Sequence, residues 1–99
     1  MDSHIFIIKS YFDAASDPAA AGKAVSDDAR PIIENGGQII FDMTGQEAVS
    51  TVFLNTSFGF LMEIFGVEKV KQSFRFKNIL KSQAERISKY FSYFQSVTA

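Results

Sequence analysis

Cysteine and tryptophan are absent from this chain, and histidine occurs once. The missing thiols exclude a disulfide framework, a thiolate metal site and a cysteine nucleophile, and they fit a reducing compartment. A lone His4 with no second ligand near it in sequence is no metal site; it reads as a strand-end residue. No apolar run approaches the roughly 20 residues of a membrane-spanning helix, and no basic segment with a signal-type apolar stretch opens the chain. A soluble, cytoplasmic protein with no membrane partner is expected. The G-x-S-x-G elbow, the P-loop, the dinucleotide-binding glycine pattern and H-E-x-x-H are all missing. Asp42, Glu47 and Glu63 supply carboxylates, but no spacing pairs them as acid and base. The expectation is a non-enzyme without cofactor or metal.

What is present is a core. Of 99 residues 46% are apolar and eleven are Phe, which excludes intrinsic disorder and points to a single domain spanning 1–99. The net charge of −1 hides a division: residues 1–66 carry three basic and nine acidic side chains, and residues 67–99 carry seven and two. Solvated faces of mixed sign account for this, and head-to-tail association is the alternative.

Ile5-Phe6-Ile7-Ile8 reads as a strand buried on both faces. A turn-rich stretch over 13–18 follows, where Asp17-Pro18 makes a good N-cap and N1 pair. Gly22, Val25, Ala29, Ile32 and Ile33 then share a helical stripe, with Ser26 or Asp28 as later alternative starts because Pro31 interrupts the pattern. Asn35-Gly36-Gly37 stops this helix. Residues 38–41 form a second apolar strand ending at Asp42. Ser50 or Thr51 caps a helix over 52–65, with Gly66 as its end. On a regular helical wheel the apolar residues of 52–65 cover roughly 200°, about twice what one sheet face hides. Asn55, Thr56, Gly59 and Glu63 occupy the remainder, and Gly59 implies a close approach. After a short helical turn over 67–72, residues 73–77 alternate polar and aromatic like a half-exposed or edge strand. Alternation puts Phe74 and Phe76 on one face and Arg75 and Lys77 on the other, so the rings are core and nucleic acid is not the expected partner. The last helix carries Leu80, Ala84, Ile87, Phe91 and Phe94 in one stripe, with Lys81, Glu85, Arg86, Lys89 and Ser92 opposite. The order β-α-β-α-β-α implies a small α/β domain with a short, mainly parallel sheet.

Three signals then coincide. They are a Gly-containing helix with a late proline (22–33), a strand closing on Asp-x-x-Gly (Ile39-Ile40-Phe41-Asp42-Met43-Thr44-Gly45), and the run Val49-Ser50-Thr51-Val52-Phe53-Leu54-Asn55-Thr56-Ser57-Phe58-Gly59-Phe60-Leu61. In this order they resemble the small bacterial STAS-like family, relatives of the anti-sigma-factor antagonists. The resemblance implies a STAS-like fold and regulatory binding to another protein, a histidine-kinase-like ATPase in the related antagonists. There a serine at the start of the helix after the central strand is phosphorylated, and Ser50 and Thr51 lie in that region. The chain departs from the pattern in having Val52 where a second serine often stands, and in lacking Asp-Ser-Ser-Gly.

The expected site is therefore a docking surface over the turn 42–51 and the helix 52–65. Its residues are Asp42, Thr44, Asn55, Thr56, Gly59, Phe60 and Glu63, with Ser50 or Thr51 as phosphoacceptor. The alternatives are a self-assembling subunit (a homodimer or head-to-tail oligomer) and an inhibitor or defence-related binding protein.

Overall fold

Three short apolar segments, each separated from the next by helix, build the sheet. In the computed structural model, which describes residues 3–46 and 49–98, these are β1 (Ser3–Ile7), β2 (Gln38–Asp42) and β3 (Phe74–Lys77). They lie in the order β1-β2-β3, and both pairs run parallel. Helices α1 (Ile8–Ala14) and α2 (Pro18–Glu34) connect β1 to β2. Between β2 and β3 come α3 (Thr51–Leu54), a π-helical turn (Asn55–Gly59), α4 (Phe60–Phe65) and α5 (Val67–Ser73), and α6 (Lys81–Thr98) follows β3. This is the small α/β architecture expected from the order of apolar segments.

The register aligns Phe6 with Phe41 and Phe41 with Phe76 across the three strands. That face, with Ile39 and Phe74, lies under the helices except at its edge, where Phe76, expected in the core, stays 37% exposed because β3 is the last strand of the sheet. Phe41 and Phe58 are fully buried with ring centroids 5.1 Å apart. Phe58 in turn meets Phe74 at 4.9 Å and Phe91 of α6 at 5.2 Å, both edge-on. Such pairs contribute about 0.5–1.5 kcal/mol each beyond area burial. One ring from the middle of the chain thus joins the sheet to the last helix.

The opposite face corrects the expectation for the first strand. Ile5 is 57% and Ile7 42% exposed, and only Phe6 of β1 is buried. Topology is the reason. Both crossovers step in the same direction across the sheet, and right-handed crossovers then carry their helices to the same face. Ile8 is not the last strand residue; it opens α1 and is buried. On the outer side of α1, Lys9 pairs with Asp13 at 3.1 Å. The Tyr11 hydroxyl donates to Asp28 Oδ2 at 2.7 Å, tying α1 to α2, and burial with that neighbouring carboxylate pushes its ionisation upward.

Helix α2 starts at Pro18, where the Asp17 carboxylate accepts the Ala20 amide at 2.8 Å. Pro31 is tolerated because it stands on the solvent side of the last turns, where water serves the carbonyl left without an amide. The end is a Schellman motif: Gly36 N–H donates to Ile33 O, Gly37 N–H donates to Ile32 O, and Gly36 takes φ +74°.

Residues 51–65 wind as one continuous rod, but not as a uniform one. The buried pairs Phe53-Leu54, Ser57-Phe58 and Leu61-Met62 recur every four residues. Over two such steps a regular α-helix overshoots by about 80°. The π turn at Asn55–Gly59 absorbs that drift and keeps all three pairs facing inward. Back-bonding hydroxyls accompany it, with Ser57 Oγ donating to Phe53 O at 2.7 Å and Thr56 Oγ1 to Val52 O at 3.0 Å. The arc of roughly 200° deduced from a uniform wheel is therefore too wide. Much of the apolar girth is spent on the sheet, α2 and α6. Val52, Phe60 and Ile64 remain exposed at 49%, 41% and 41%, again at multiples of four residues.

Helix α6 is also rotated from expectation. Ile87 and Phe91 are buried, but Leu80 is 55% exposed and Ala84 is exposed, and Gln83 is buried instead.

Candidate functional site

Beyond the carboxyl ends of the strands, Asp42, Thr44 and Asn78 lock together. Asp42 Oδ1 accepts the Thr44 hydroxyl at 2.6 Å, the Thr44 amide at 3.0 Å and Asn78 Nδ2 at 3.2 Å. Asn78 Nδ2 also donates to Thr44 Oγ1 at 2.9 Å. Asn78 adopts φ +55°, a left-handed conformation that Asn tolerates better than most residues. These bonds, the Thr44 hydroxyl foremost, hold the Asp42 carboxyl below its usual range. A carboxylate so held is a weak base, so its bond to the Thr44 hydroxyl locks a turn and does not activate a nucleophile.

Two side chains of α6 fasten the loop that follows. Gln83 Nε2 donates to Gln46 O while its Oε1 accepts the Leu80 amide at 2.9 Å. Arg86, expected on the solvent side, donates through Nε to Val49 O and through Nη2 to Thr51 Oγ1 at 2.8 Å. Glu47 lies outside the described residues.

At the helix start the two candidate hydroxyls differ. Ser50 is half-buried and is the N-cap, its Oγ accepting the Phe53 amide at 3.2 Å. Thr51 is exposed and faces a groove of about 380 Å³ between α3 and α6, lined also by Arg86, Lys89, Tyr90 and Tyr93.

The remaining docking candidates sit on the other flank. Asn55, Thr56, Phe60 and Glu63 line a broader groove of about 710 Å³ against α2, together with Lys23 and Arg30. The Arg30 guanidinium carbon stands 6.0 Å from the Phe60 ring centroid. Asp42 and Thr44 belong to the strand-end cluster, not to this groove. Gly59 belongs to neither surface: it is buried, and a Cβ there would meet the Tyr90 hydroxyl at 2.4 Å. That hydroxyl donates across to Asn55 Oδ1 at 2.7 Å. At Gly22 the contact is tighter, since a Cβ would lie 1.9 Å from Thr56 Oγ1 and 2.7 Å from the Phe53 carbonyl. Helix α2 thus presses on the rod where the π turn begins.

With this geometry in place, comparison with protein families is decisive. The family model described as "STAS-like domain of unknown function (DUF4325)" matches residues 21–84, more than half the chain. The chain belongs to this family. The matched span covers α2 from Ala21 on, β2, the rod 51–65 and β3, which supply the strand-end cluster and most of the groove against α2, while most of the groove against α6 lies beyond it. Comparisons with curated proteins and with solved structures returned no match. Among the described residues of this STAS-like domain, no His, Asp or Glu group is arranged to hold a metal ion. No helix among them is long and apolar enough to cross a membrane.

Gln83, Arg86 and Tyr90 are not legible as site residues in the sequence. Each is a polar residue on the last helix whose partner stands 35 or more positions earlier. Gly59 is the usable signal, because a glycine inside an apolar helix asks for something to press on it.

Proposed function

We propose that this STAS-like domain is a non-catalytic docking module that binds another protein through the outer side of the rod 51–65. The observation that carries this is the exposed stripe Val52, Phe60 and Ile64, with Phe60 beside the Arg30 guanidinium in the α2 groove. A large ring left 41% exposed next to a cation is the composition of an interface anchor. The strand-end cluster of Asp42, Thr44 and Asn78 and the helix start at Thr51 lie away from this groove, Thr51 on the flank that faces α6. The partner class favoured by the STAS-like fold is a histidine-kinase-like ATPase.

Thr51 is the phosphoacceptor in this reading. Ser50 is half-buried and caps the Phe53 amide, whereas Thr51 is exposed and, among the described residues, its oxygen is bonded only by the Arg86 side chain. A phosphate there brings a charge of about −1.5 to −2 against Arg86, at the start of the rod that carries the docking stripe.

The test is binding to a purified histidine-kinase-like ATPase, measured by calorimetry. Phe60→Asp weakens it by about 2 kcal/mol or more, the loss expected of an interface anchor, while the circular dichroism spectrum stays unchanged. Equal affinity of both proteins contradicts the docking reading. Intact mass after incubation with that ATPase and ATP reads the switch: a gain of one phosphate lost in Thr51→Val supports it, and an unmodified chain removes it. A dimer in light scattering that dissociates on Phe60→Asp would assign the same stripe to self-assembly.

A further inference from the structure

The face of the sheet that the helices leave bare has its own chemistry, independent of the Phe60 groove. Ile5 and Ile40 are register partners, and Ile7 follows on the same side of β1. Ile5 and Ile7 are exposed and Ile40 is half-buried. On the other flank of this face β3 presents Arg75, the register partner of Ile40, and Lys77, the partner of Asp42. The surface is thus an apolar strip along β1 and β2 with a basic border along β3. Its one acidic member among the described residues, Asp42, is already engaged by Thr44 and Asn78. Parallel sheets are ordinarily covered on both faces, so an uncovered one carrying three isoleucines calls for an occupant.

Size and charge select among occupants. Three strands at about 4.8 Å spacing and five residues at about 3.3 Å rise make a patch roughly 14 by 16 Å. That is far below the roughly 800 Å² per partner of a standard stable interface, so this face alone does not hold two copies in a stable dimer, and any occupant of it binds weakly and transiently. Stacking two copies with strands antiparallel would also set Arg75 and Lys77 over the same cations of the partner copy, and stacking them with strands parallel would set those cations over its isoleucines; both arrangements desolvate cations without a counter-charge. One amphipathic α-helix fits better, because its diameter of about 10–12 Å matches the width of the patch and about three turns match its length. We propose that the open face of the sheet binds an amphipathic helix of a partner protein, with its apolar stripe on Ile5, Ile7 and Ile40 and a row of carboxylates along Arg75 and Lys77.

The test uses two synthetic helical peptides of about fourteen residues, roughly four turns. Both have leucines at i, i+3, i+4 and i+7; one carries glutamates along a single flank and the other lysines at the same places. Isoleucine methyl NMR of the full chain reads where each binds, with buried Ile33 and Ile39 as internal references. The glutamate peptide is expected to shift Ile5, Ile7 and Ile40. It should bind about tenfold more tightly than the lysine peptide and weaken in high salt. The double variant R75E/K77E, whose fold the reference methyls report, should reverse the preference. Equal binding of the two peptides, shifts centred on Ile64 instead, or no shift at Ile5 and Ile7 would overturn the proposal. So would a concentration-dependent dimer abolished by Ile5→Glu, which would show that a second copy covers this face.

Discussion

The two faces of this small sheet both carry large apolar side chains, and those side chains have opposite fates. Phe6, Ile39, Phe41 and Phe74 disappear under helices, while Ile5, Ile7 and half of Ile40 stay in contact with water. Hydrophobicity does not separate the two sets. Chain direction does, because a β1-β2-β3 order places both crossovers on one side. The covered side then acquires a connected ring cluster through Phe41, Phe53, Phe58, Phe74 and Phe91. The bare side acquires a basic border and no partner from the described residues. One face is for folding, and the other is available for binding.

Paired substitutions across the two faces break or sharpen this contrast. Phe41→Ala removes the central ring and should cost about 3–5 kcal/mol in urea denaturation, whereas Ile5→Ala on the bare face should change stability by less than about 1 kcal/mol. Comparable losses at both positions would mean that the bare face is covered in solution. Next in size is Gly22→Ala. A methyl there meets the Phe53 carbonyl as well as the Thr56 hydroxyl, so the α2–rod crossing must shift, at about 1–3 kcal/mol of overpacking.

Gly59→Ala should cost much less, because the group in the way is the movable end of Tyr90 and alanine recovers about 0.8–1 kcal/mol of helix propensity. Its mark would be loss of the Tyr90–Asn55 hydrogen bond, read as a change in Tyr90 ultraviolet absorption with little change in melting temperature. The smallest effect is at the strand ends. Asp42 is held below its usual range in the folded state, so its contribution is present above the unfolded value of about 4 and fades as pH falls below it. The urea midpoint of the native chain should drop more steeply on acidification than that of Asp42→Asn; parallel curves would show that the turn lock stabilises nothing.

Much of the covered face is legible in the amino-acid sequence. Asp17-Pro18 and Gly36-Gly37 bracket α2 because caps are local chemistry, and the alternation in 74–77 assigns Phe74 correctly to the core but not Phe76, which the sheet edge leaves exposed. Helix α1 is hidden because Ile8 continues the apolar run of β1, although Ile8 with Phe12 and Lys9 with Asp13 already stand at helical spacing. The rod 51–65 looks too wide in apolar arc, because a four-residue repeat spreads on a uniform wheel and the π turn that gathers it depends on the pressure of α2 at Gly22. The docking candidates form one surface in the sequence reading but divide in space into the strand-end lock, the α2 groove and a buried Gly59. Arg86 and Gln83 stay illegible since their roles exist only once α6 lies beside the loop.

Central to all of this is that the helices share one face of the sheet, leaving apolar surface at Ile5, Ile7 and Ile40 and at the outer stripe of the rod in contact with water. Isoleucine methyl relaxation with a soluble paramagnetic cosolute measures this directly, at a concentration where light scattering shows a monomer. Ile5, Ile7 and Ile64 should relax strongly, Ile40 moderately, and Ile8, Ile33, Ile39 and Ile87 weakly. Protection of Ile5 and Ile7 to the level of Ile39 in that monomer would contradict it.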